Sequence, residues 1–338
     1  MARMGDFLQQ LPKAELHVHL EGSVEPETLL ELEPSLRREV VDEYYRCGDF
    51  PAFMRAYEWV NRFLRTADDY ALITRRLLDR LARENVRYAE INLSAGVILW
   101  KKQDLAAIDE AARRATEGSP VKVRWIWDAV RQWSVEDALR VAEMAAERTG
   151  CGVVGFGLGG DETRGPAGKF AEVFAFARRR GLHLAPHGGE ITGPESVWAA
   201  IEMGAERIGH GIAAARDARL IEALNERDIP LEICITSNVV LGAVKGTEAH
   251  PVRRLFDAGV PITLNTDDPG MFRTTLTREF EIARDVFGFS EDELRCVAAN
   301  GFRYAFDRSL TDRSLPTDSA PRLSGSGPQT TERPDRPV

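Results

Sequence analysis

Two histidines stand two residues apart in an apolar stretch near the start of the chain. The stretch reads Glu15-Leu-His-Val-His-Leu-Glu-Gly22, so His17 and His19 occupy positions i and i+2. In a β-strand, side chains at these positions point to the same face. The pattern therefore directs two imidazoles at one point, which is how a protein begins a metal site.

Further metal-binding side chains follow two later apolar stretches. His187 ends the stretch Leu182-His-Leu-Ala-Pro-His187, and Asp267 follows Ile262-Thr-Leu-Asn-Thr. Three neutral imidazoles and one carboxylate form a donor set that suits Zn²⁺ or another borderline divalent ion. Such an ion lowers the pKa of a bound water to about 7 and makes it a usable nucleophile. The sequence therefore predicts a metal-dependent hydrolase with these ligands: His17, His19, His187 and Asp267.

Three more polar residues lie near the predicted ligands or at the end of another strand. Glu190 lies three residues past His187, and we interpret it as the proton donor. His210 can orient and deprotonate the attacking water. Asp268 adjoins Asp267 and should point elsewhere, toward the substrate. Polar groups of this kind are costly to bury unless they bind something, so their number favours a functional site over a structural role.

Eight apolar stretches alternate with helical stretches, and the predicted site residues lie where those apolar stretches end. Strands that alternate with helices form parallel βαβ units, so the fold class is α/β. Eight such units predict a closed (β/α)8 barrel of the TIM type with additional helices, and a doubly wound open sheet is the alternative. In a barrel these strand ends share the face that carries the active site. The predicted strands are 14–20, 88–93, 121–127, 152–157, 182–187, 207–210, 231–235 and 260–265.

The chain divides into one predicted domain and a tail. Residues 1–308 form the predicted barrel domain, whereas 309–338 are rich in Pro, Ser, Gly and charge and are predicted to be disordered. Within the domain, residues 35–50 are predicted to be irregular. Ser23 is predicted to cap the helix that contains Pro26 in its first turn.

Composition limits the partners and the location of the protein. A net charge of -9 argues against a nucleic-acid partner, which needs a basic surface, and favours a small-molecule substrate. The four cysteines contain no CxxC pair and predict reduced thiols in a cytoplasmic protein. The first residues lack the long apolar run of a signal peptide, and no run is long enough for a membrane span. The oligomeric state stays open.

Other motifs are weaker. Residues 155–160 match GxGxxG after a predicted strand, but no helix follows at once, so a dinucleotide site is disfavoured. The glycines instead favour a close approach of the backbone to a flat ligand. The polar residues 236–238 either bind substrate or shape their loop. His183 and His250 are interpreted as structural.

At these residues the sequence resembles the adenosine deaminase family of the amidohydrolase superfamily, over roughly residues 10–307. The resemblance implies a barrel with one zinc ion that hydrolyses a 6-aminopurine to the 6-oxo product and ammonia. The matching stretches are Leu11-Pro-Lys-Ala-Glu-Leu-His-Val-His-Leu-Glu-Gly22, Gly159-Gly-Asp-Glu162, His187-Gly-Gly-Glu190, Arg207-Ile-Gly-His-Gly211, Thr236-Ser-Asn238, His250-Pro251 and Asn265-Thr-Asp-Asp-Pro269.

The resemblance also implies individual roles. Glu190 would protonate the ring nitrogen N1, and His210 would handle the attacking hydroxide. The predicted fourth strand lacks the bridging lysine usual in binuclear relatives, which favours one metal ion. The PCxxC motif of the unrelated cytidine-type deaminases is absent. The substrate-binding residues would be His19, Glu21, Gly160 and Asp268.

Three departures from the family pattern leave the substrate open. Glu21 replaces an aspartate that meets the ribose in adenosine-specific members, Gly188 replaces a commoner alanine, and Gly157 replaces an aspartate. The predicted substrate is adenosine or an adenosine-like 6-aminopurine nucleoside. The alternatives are free adenine and 6-aminodeoxyfutalosine, a menaquinone precursor that carries a benzoate beyond the ribose. A non-catalytic purine-binding homologue is the alternative from another class, and the intact acid and histidine argue against it.

Overall fold

Eight parallel strands form one sheet in the computed structural model, which describes residues 4–310. Neighbouring strands follow chain order around the sheet, from the first to the eighth. This arrangement confirms the predicted (β/α)8 architecture. The strands are β1 (Lys13–His19), β2 (Val86–Leu93), β3 (Lys122–Val130), β4 (Val153–Gly159), β5 (His183–Gly188), β6 (Ile208–His210), β7 (Leu231–Ile233) and β8 (Ile262–Leu264).

Helices surround the sheet. Within residues 4–310 the α-helices are α1 (Met4–Gln10), α2 (Pro26–Leu32), α3 (Arg38–Tyr44), α4 (Phe50–Asn61), α5 (Ala67–Arg83), α6 (Ala95–Trp100), α7 (Leu105–Arg114), α8 (Val135–Ala146), α9 (Ala171–Arg179), α10 (Pro194–Glu202), α11 (Ala218–Glu226), α12 (Ile235–Val240), α13 (Val252–Asp257), α14 (Pro269–Phe272), α15 (Leu276–Asp285) and α16 (Glu291–Arg303). Short 3-10 helices cover Glu21–Ser23, Thr149–Cys151, Ala167–Phe170, Ile212–Arg216 and Thr247–Ala249.

The barrel closes where β1 meets the residues that follow β8. Val18 forms a parallel bridge with Asp267. The backbone N–H of His19 donates to the carbonyl oxygen of Asp267 (2.8 Å), and the N–H of Asp267 donates to the carbonyl oxygen of His17 (3.0 Å). Closure excludes the open sheet. It also places Asp267 directly beside the two histidines of β1, although they are far apart in sequence.

Helix α16 packs against β1 and β8, and the residues after it cover the opposite end of the barrel. Gly301 of α16 faces β1 so closely that an added Cβ would lie 3.1 Å from the Cβ of Ala14. Phe306 lies at this end of the sheet. Its N–H donates to Glu90 Oε1 (2.6 Å), and its ring centroid lies 3.6 Å from the guanidinium carbon of Arg207. The site can therefore open only at the carboxyl ends of the strands.

The two amphipathic helices predicted for 51–83 are confirmed as α4 and α5. Thr66 begins α5 with a capping box, in which its hydroxyl accepts the N–H of Asp69 and the Asp69 carboxylate accepts the N–H of Thr66. The apolar face of α5 includes Ile73 and Leu77, both buried. The helix therefore forms where hydrophobic period and capping agree.

Two local predictions are wrong. Residues 38–44 form α3 instead of an irregular stretch, because Val41 is buried in the core and Arg38 pairs with Asp42 one turn along (3.0 Å). Ser23 does not cap α2. Its hydroxyl donates to the carbonyl oxygen of Leu20 (2.7 Å), and Glu25 precedes the helix without a side-chain cap.

Two further predictions concern the C-terminal segment and the four cysteines. The predicted disorder of 309–338 falls almost entirely outside the described residues. All four cysteines lie within residues 4–310 and are free thiols, as the sequence predicts. No helix in the described part of the chain is long and apolar enough to cross a membrane.

Candidate active site

The four predicted metal ligands meet at the carboxyl end of the barrel. His17 Nε2 lies 3.4 Å and His19 Nε2 3.3 Å from the same oxygen, Asp267 Oδ1. His19 Nε2 also lies 3.2 Å from His187 Nε2. All four side chains are buried, and one ligand atom of each lies within 4.8 Å of the others. The structure thus brings three strand ends together into one donor set.

This donor set fits a tetrahedral zinc ion. Bonds of about 2.0–2.1 Å at tetrahedral angles separate the ligand atoms by about 3.3 Å. The separations measured between the ring nitrogens and Asp267 Oδ1 are 3.2 to 3.4 Å. Moreover, His17 Nε2 is buried and has no hydrogen-bond partner among residues 4–310. A buried nitrogen without a partner is costly unless it binds something outside the chain, such as a metal ion.

A carboxylate on β7 orients His17 from behind. His17 Nδ1 lies 2.7 Å from Glu232 Oε2, so the ring proton resides on Nδ1 and the lone pair of Nε2 faces the metal site. Arg207 Nε donates to Glu232 Oε1 (2.5 Å). Burial would raise the pKa of Glu232, but the Arg207 guanidinium lowers it below its ordinary value. The sequence analysis missed Glu232. The sequence feature that could have revealed it is a charged residue inside the apolar strand Leu231–Ile233.

A second carboxylate, Asp128 of β3, supports His19 and explains a departure from the family pattern. Asp128 Oδ2 lies 3.5 Å from His19 Nδ1, and Asn92 Nδ2 donates to it (3.0 Å). A Cβ at Gly157 of β4 would lie only 2.0 Å from Asp128 Oδ1. Gly157 therefore leaves the space that Asp128 occupies, and an aspartate there would place two carboxylates in one buried volume.

Glu162 holds the turn that carries Glu190. Four successive backbone N–H groups, from residues 189–192, donate to its carboxylate at 2.8–3.0 Å. Ser196 Oγ donates as well (2.6 Å). The sequence analysis placed Glu162 in a family motif without a role. In the structure it positions the backbone of the predicted proton donor.

Arg131, which the sequence analysis missed, links Glu162 to the predicted metal ligand His187. Its Nη2 donates to the carbonyl oxygen of His187 (2.6 Å), and its Nη1 lies 3.5 Å from Glu162 Oε1. Arg131 is only 1% exposed. Because a buried guanidinium needs fixed acceptors, this residue joins the end of β5 to the turn at residues 189–192.

The pKa of Glu162 gives a testable pH dependence. Burial would raise it, but Arg131, Ser196 and the turn N–H groups lower it from 4.5 to about 2. A depressed carboxyl pKa stabilises the fold above the unfolded pKa, and this contribution is lost as the pH falls through the folded pKa. The shift is equivalent to about 3 kcal/mol. We expect Glu162→Gln to lower the free energy of unfolding near neutral pH and to flatten its decline below pH 4.5.

Urea unfolding of the metal-free proteins between pH 7 and pH 2 measures this effect. Glu172→Gln, on the exposed face of α9, is the matched control and should follow the wild type. A difference between Glu162→Gln and the wild type that stays constant down to pH 2 would contradict the assignment.

Glu190 and His210 lie beside the metal cluster and face each other. His210 Nε2 lies 3.6 Å from Glu190 Oε1 and 4.0 Å from Asp267 Oδ2. Burial raises the pKa of Glu190 well above its ordinary value, and the carboxylates of Asp267 and Glu162 raise it further. Burial also lowers the pKa of His210 to about 4. Burial thus favours the protonated carboxyl of Glu190 and the neutral imidazole of His210.

Two of these residues adopt backbone conformations that are rare for side-chain-bearing residues. His210 has φ +60° and Asp267 has φ +63°. The left-handed region costs about 1–3 kcal/mol for such residues and persists where surrounding contacts hold it. At Asp267 those contacts are the backbone hydrogen bonds that close the barrel. The strain thus coincides with the predicted ligand and the predicted catalytic histidine.

A cavity of about 420 Å³ opens directly over these groups. Its floor includes His19, His187, Glu190 and His210. Its outer wall comes from helices α4 and α6 and from residues after β3, and it is largely aromatic. The outer residues are Phe50, Phe53, Met54, Tyr57, Trp100 and Trp133.

The predicted substrate-binding residues lie in different positions relative to this cavity. Asp268 lines it, is buried, and has an Oδ1 without a hydrogen-bond partner among residues 4–310. Gly160 lines it too, with a positive φ of +99°. Glu21 is fully buried behind the wall, where its Oε1 accepts the N–H of Ser94 (3.1 Å) and its Oε2 lies 3.5 Å from the hydroxyl of Tyr57. Glu21 therefore meets the cavity through Tyr57 and Ser94.

Residues 236–238 support other site residues. Ser237 Oγ donates to Asp267 Oδ2 (2.7 Å), and Asn238 Nδ2 lies 3.1 Å from His210 Nδ1. His250 contacts Asn238 in turn (3.1 Å). Of the alternatives left open by the sequence, the contacts favour shaping of the site.

A barrel of this topology, with a three-histidine and one-aspartate cluster beside an acid at its carboxyl end, places the chain among the amidohydrolases. The sequence profile of the family described as adenosine deaminase matches residues 12–315. The chain therefore belongs to the adenosine deaminase family. It is an enzyme, a hydrolase that acts on a carbon–nitrogen bond.

Individual relatives agree with this membership. Aminodeoxyfutalosine deaminase from Streptomyces coelicolor is 38% identical over 315 residues, which cover 89% of this chain and 81% of that protein. Adenine deaminase from Rhizobium leguminosarum bv. trifolii is 36% identical over 314 residues, which cover 90% and 98%. The crystal structure of adenine deaminase from Arthrobacter aurescens has a TM-score of 0.82 at 30% identity, covering 87% and 94%. All three are named as deaminases, so the chain is similar to purine deaminases.

Proposed function

We propose that this chain is a zinc-dependent deaminase that converts a 6-aminopurine nucleoside to the 6-oxo product and ammonia. The observation that carries the proposal is the convergence of Glu190, His210 and the four-residue metal cluster on one cavity. A module that only binds purine needs neither an acid nor a histidine at that point. Family membership and the names of the relatives support the reaction type.

His17, His19, His187 and Asp267 would hold one zinc ion per subunit. When bound, the ion lowers the pKa of a water to about 7 and makes it nucleophilic. The protein supplies the remaining groups around the reacting carbon. His210 Nε2, buried and without a hydrogen-bond partner among residues 4–310, holds the attacking water in place.

Glu190 acts as the general acid. Burial raises its pKa and thereby favours the protonated carboxyl that a general acid needs, and Glu190 lies in the cavity floor beside the four predicted ligands. It donates a proton to the ring nitrogen N1 of the purine, which makes C6 electrophilic. Glu162 holds the backbone at this residue and thereby keeps the carboxyl in position.

The remaining contacts orient the purine and its sugar. Asp268 lines the cavity with a buried oxygen that has no partner among residues 4–310, and it would hydrogen-bond the base. The backbone at Gly160 approaches the base closely, and His19 adds an edge contact. The hydroxyls of Tyr57 and Ser94, held by Glu21, face the ribose.

The outer cavity favours 6-aminodeoxyfutalosine as a more specific substrate. Trp100 and Trp133 stack at the mouth with ring centroids 5.8 Å apart, and the Trp100 side chain is 69% exposed. The exposed Arg62 also lines the cavity, and it makes no ion pair within residues 4–310. An aromatic wall beside the Arg62 guanidinium suits a benzoate beyond the ribose. Free adenine would leave this wall without contacts.

Ammonia release by the zinc-loaded protein tests the proposal, with adenosine, adenine and 6-aminodeoxyfutalosine compared side by side. The expected order of kcat/KM is 6-aminodeoxyfutalosine, then adenosine, then adenine. Preference for free adenine would contradict the nucleoside assignment. Absence of turnover with all three, while zinc is bound, would contradict the proposed function.

Replacing the aromatic wall should change selectivity without changing the chemistry. We expect Trp133→Leu to raise KM for 6-aminodeoxyfutalosine by about 2- to 10-fold, because an aromatic pair contributes about 0.5–1.5 kcal/mol. The kcat, and both constants for adenine, should not change. Trp198→Leu, on the outer helix α10, is the matched control. Equal effects of Trp133→Leu on all substrates would show that the aromatic wall does not recognise the benzoate group beyond the ribose.

A further inference from the structure

Two buried polar residues behind His210, namely Asn238 and His250, have no role in the mechanism above. Asn238 and His250 are 0% and 4% exposed; Asn238 contacts Nδ1 of His210, and His250 contacts Asn238. Buried polar side chains are costly unless fully hydrogen bonded. Hydrogen bonds connect His250 to Asn238 and Asn238 to His210, and the donor and the acceptor of each bond can be assigned.

The chain begins at a backbone donor. The N–H of Val252 donates to Nδ1 of His250 (3.1 Å), so this ring nitrogen is an acceptor and carries no proton. The single proton of the ring therefore resides on Nε2, which lies 3.1 Å from Asn238 Oδ1. His250 donates to the amide oxygen and thereby fixes which way the Asn238 amide faces.

The orientation of the Asn238 amide determines which ring nitrogen of His210 carries the proton. Since its oxygen faces His250, its NH₂ group faces His210, with Nδ2 3.1 Å from Nδ1. An amide NH₂ only donates, so Nδ1 of His210 accepts. The proton of the neutral His210 ring must then lie on Nε2. This nitrogen is the one that faces Glu190, at 3.6 Å.

We propose that Asn238 and His250 are positioning residues that hold His210 in the tautomer with its proton on Nε2. In this form His210 donates a hydrogen bond to the attacking water oxygen and directs the oxygen lone pair at the substrate carbon. Because its Nε2 already carries the ring proton, His210 would not take a proton from that water. The proton would leave to solvent as the bound ion lowers the pKa of the water, so orientation replaces the deprotonation predicted from the sequence. The effect on turnover rests on the proposed function, whereas the tautomer itself can be observed without substrate.

The tautomer of the wild type is the first measurement. Two-bond ¹H–¹⁵N correlation spectra of the zinc-loaded, ¹⁵N-histidine-labelled protein distinguish the two ring nitrogens of each histidine. The signals lost in His210→Gln identify His210. We expect an Nε2–H tautomer for this residue, and an Nδ1–H tautomer would overturn the proposal.

Asn238→Asp is the sharpest variant, because it keeps the side-chain shape and replaces the NH₂ donor with an oxygen acceptor. His210 should then carry its proton on Nδ1 and present a lone pair to the site. We expect kcat to fall by about 10²-fold or more, with KM and zinc content unchanged. In a Ser-His-Asp triad, the wrong histidine tautomer costs about 10⁴-fold in kcat. An inverted tautomer with unchanged kcat would overturn the proposed role.

His250→Phe tests the other end of this chain of hydrogen bonds. The variant removes the donor to Asn238 Oδ1, so the amide can turn and His210 should populate both tautomers. We expect a kcat between those of the wild type and Asn238→Asp. A loss of kcat with an unchanged His210 spectrum would assign these residues a merely structural role and overturn the proposal. Wild-type protein with the expected tautomer but no ammonia release would overturn the proposed function alone.

Discussion

Glu190→Gln is expected to lower kcat for aminopurine deamination by about 10²- to 10⁴-fold, the usual contribution of a general acid. The amide keeps the shape of the side chain but cannot supply a proton to the purine ring. Glu190 lies close to the metal cluster, yet the four predicted ligands are other residues. Zinc content should therefore remain at one ion per chain, and KM should change little. Steady-state ammonia release together with metal analysis measures both quantities.

The control for this variant is Glu195→Gln, an exposed carboxyl at the start of α10. It should retain wild-type kcat and zinc content. If Glu190→Gln turned over at the wild-type rate, Glu190 would not be the proton donor, and another group in the cavity would have to act. If it lost zinc, Glu190 would belong to the metal site.

His17→Ala is expected to lose both zinc and activity. The variant removes one of four ligands and leaves Glu232 without its imidazole partner. Loss of the ion removes about 4 kcal/mol or more of transition-state stabilisation, which corresponds to about 10³-fold in rate. Metal analysis of the purified protein and ammonia release at saturating substrate test the two effects separately.

His183→Ala is the matched control, because this histidine lies on β5 only four residues before a predicted ligand. In the structure it pairs with Glu206 (2.9 Å) and stacks on Phe306 at the opposite end of the barrel. The variant should bind zinc and retain kcat. Full zinc occupancy and full activity in His17→Ala would contradict the metal site.

The resemblance and the strand-end pattern were sufficient to place the predicted ligands, because a parallel barrel gathers its strand ends at one face. His17, His19 and His187 therefore meet although β1 and β5 are distant in sequence. Glu190 and His210 follow from the same rule. Glu21 differs, since its motif predicts a contact with substrate. The structure places its carboxylate behind Tyr57 and Ser94.

Spacing along the chain did not reveal the residues that hold the predicted ligands in place. Glu232 reaches His17 only because β7 and β1 face each other across the barrel. Asp128 meets Gly157 across the β3–β4 pair, where the register sets them side by side. Such contacts depend on the register and closure of the sheet, which local periodicity does not encode.

The sequence by itself predicted the barrel and the residues that meet at its carboxyl end, because alternating strands and helices leave few ways to connect the chain and strand-end residues share one face. Only the tertiary structure decided how each of these groups is held. The hydrogen bonds among His210, Asn238 and His250 join residues from β6, α12 and the loop before α13. The direction of those bonds is set by a backbone N–H that the fold places against His250. A proton position of this kind is a property of packed neighbours and cannot be read from residue types alone.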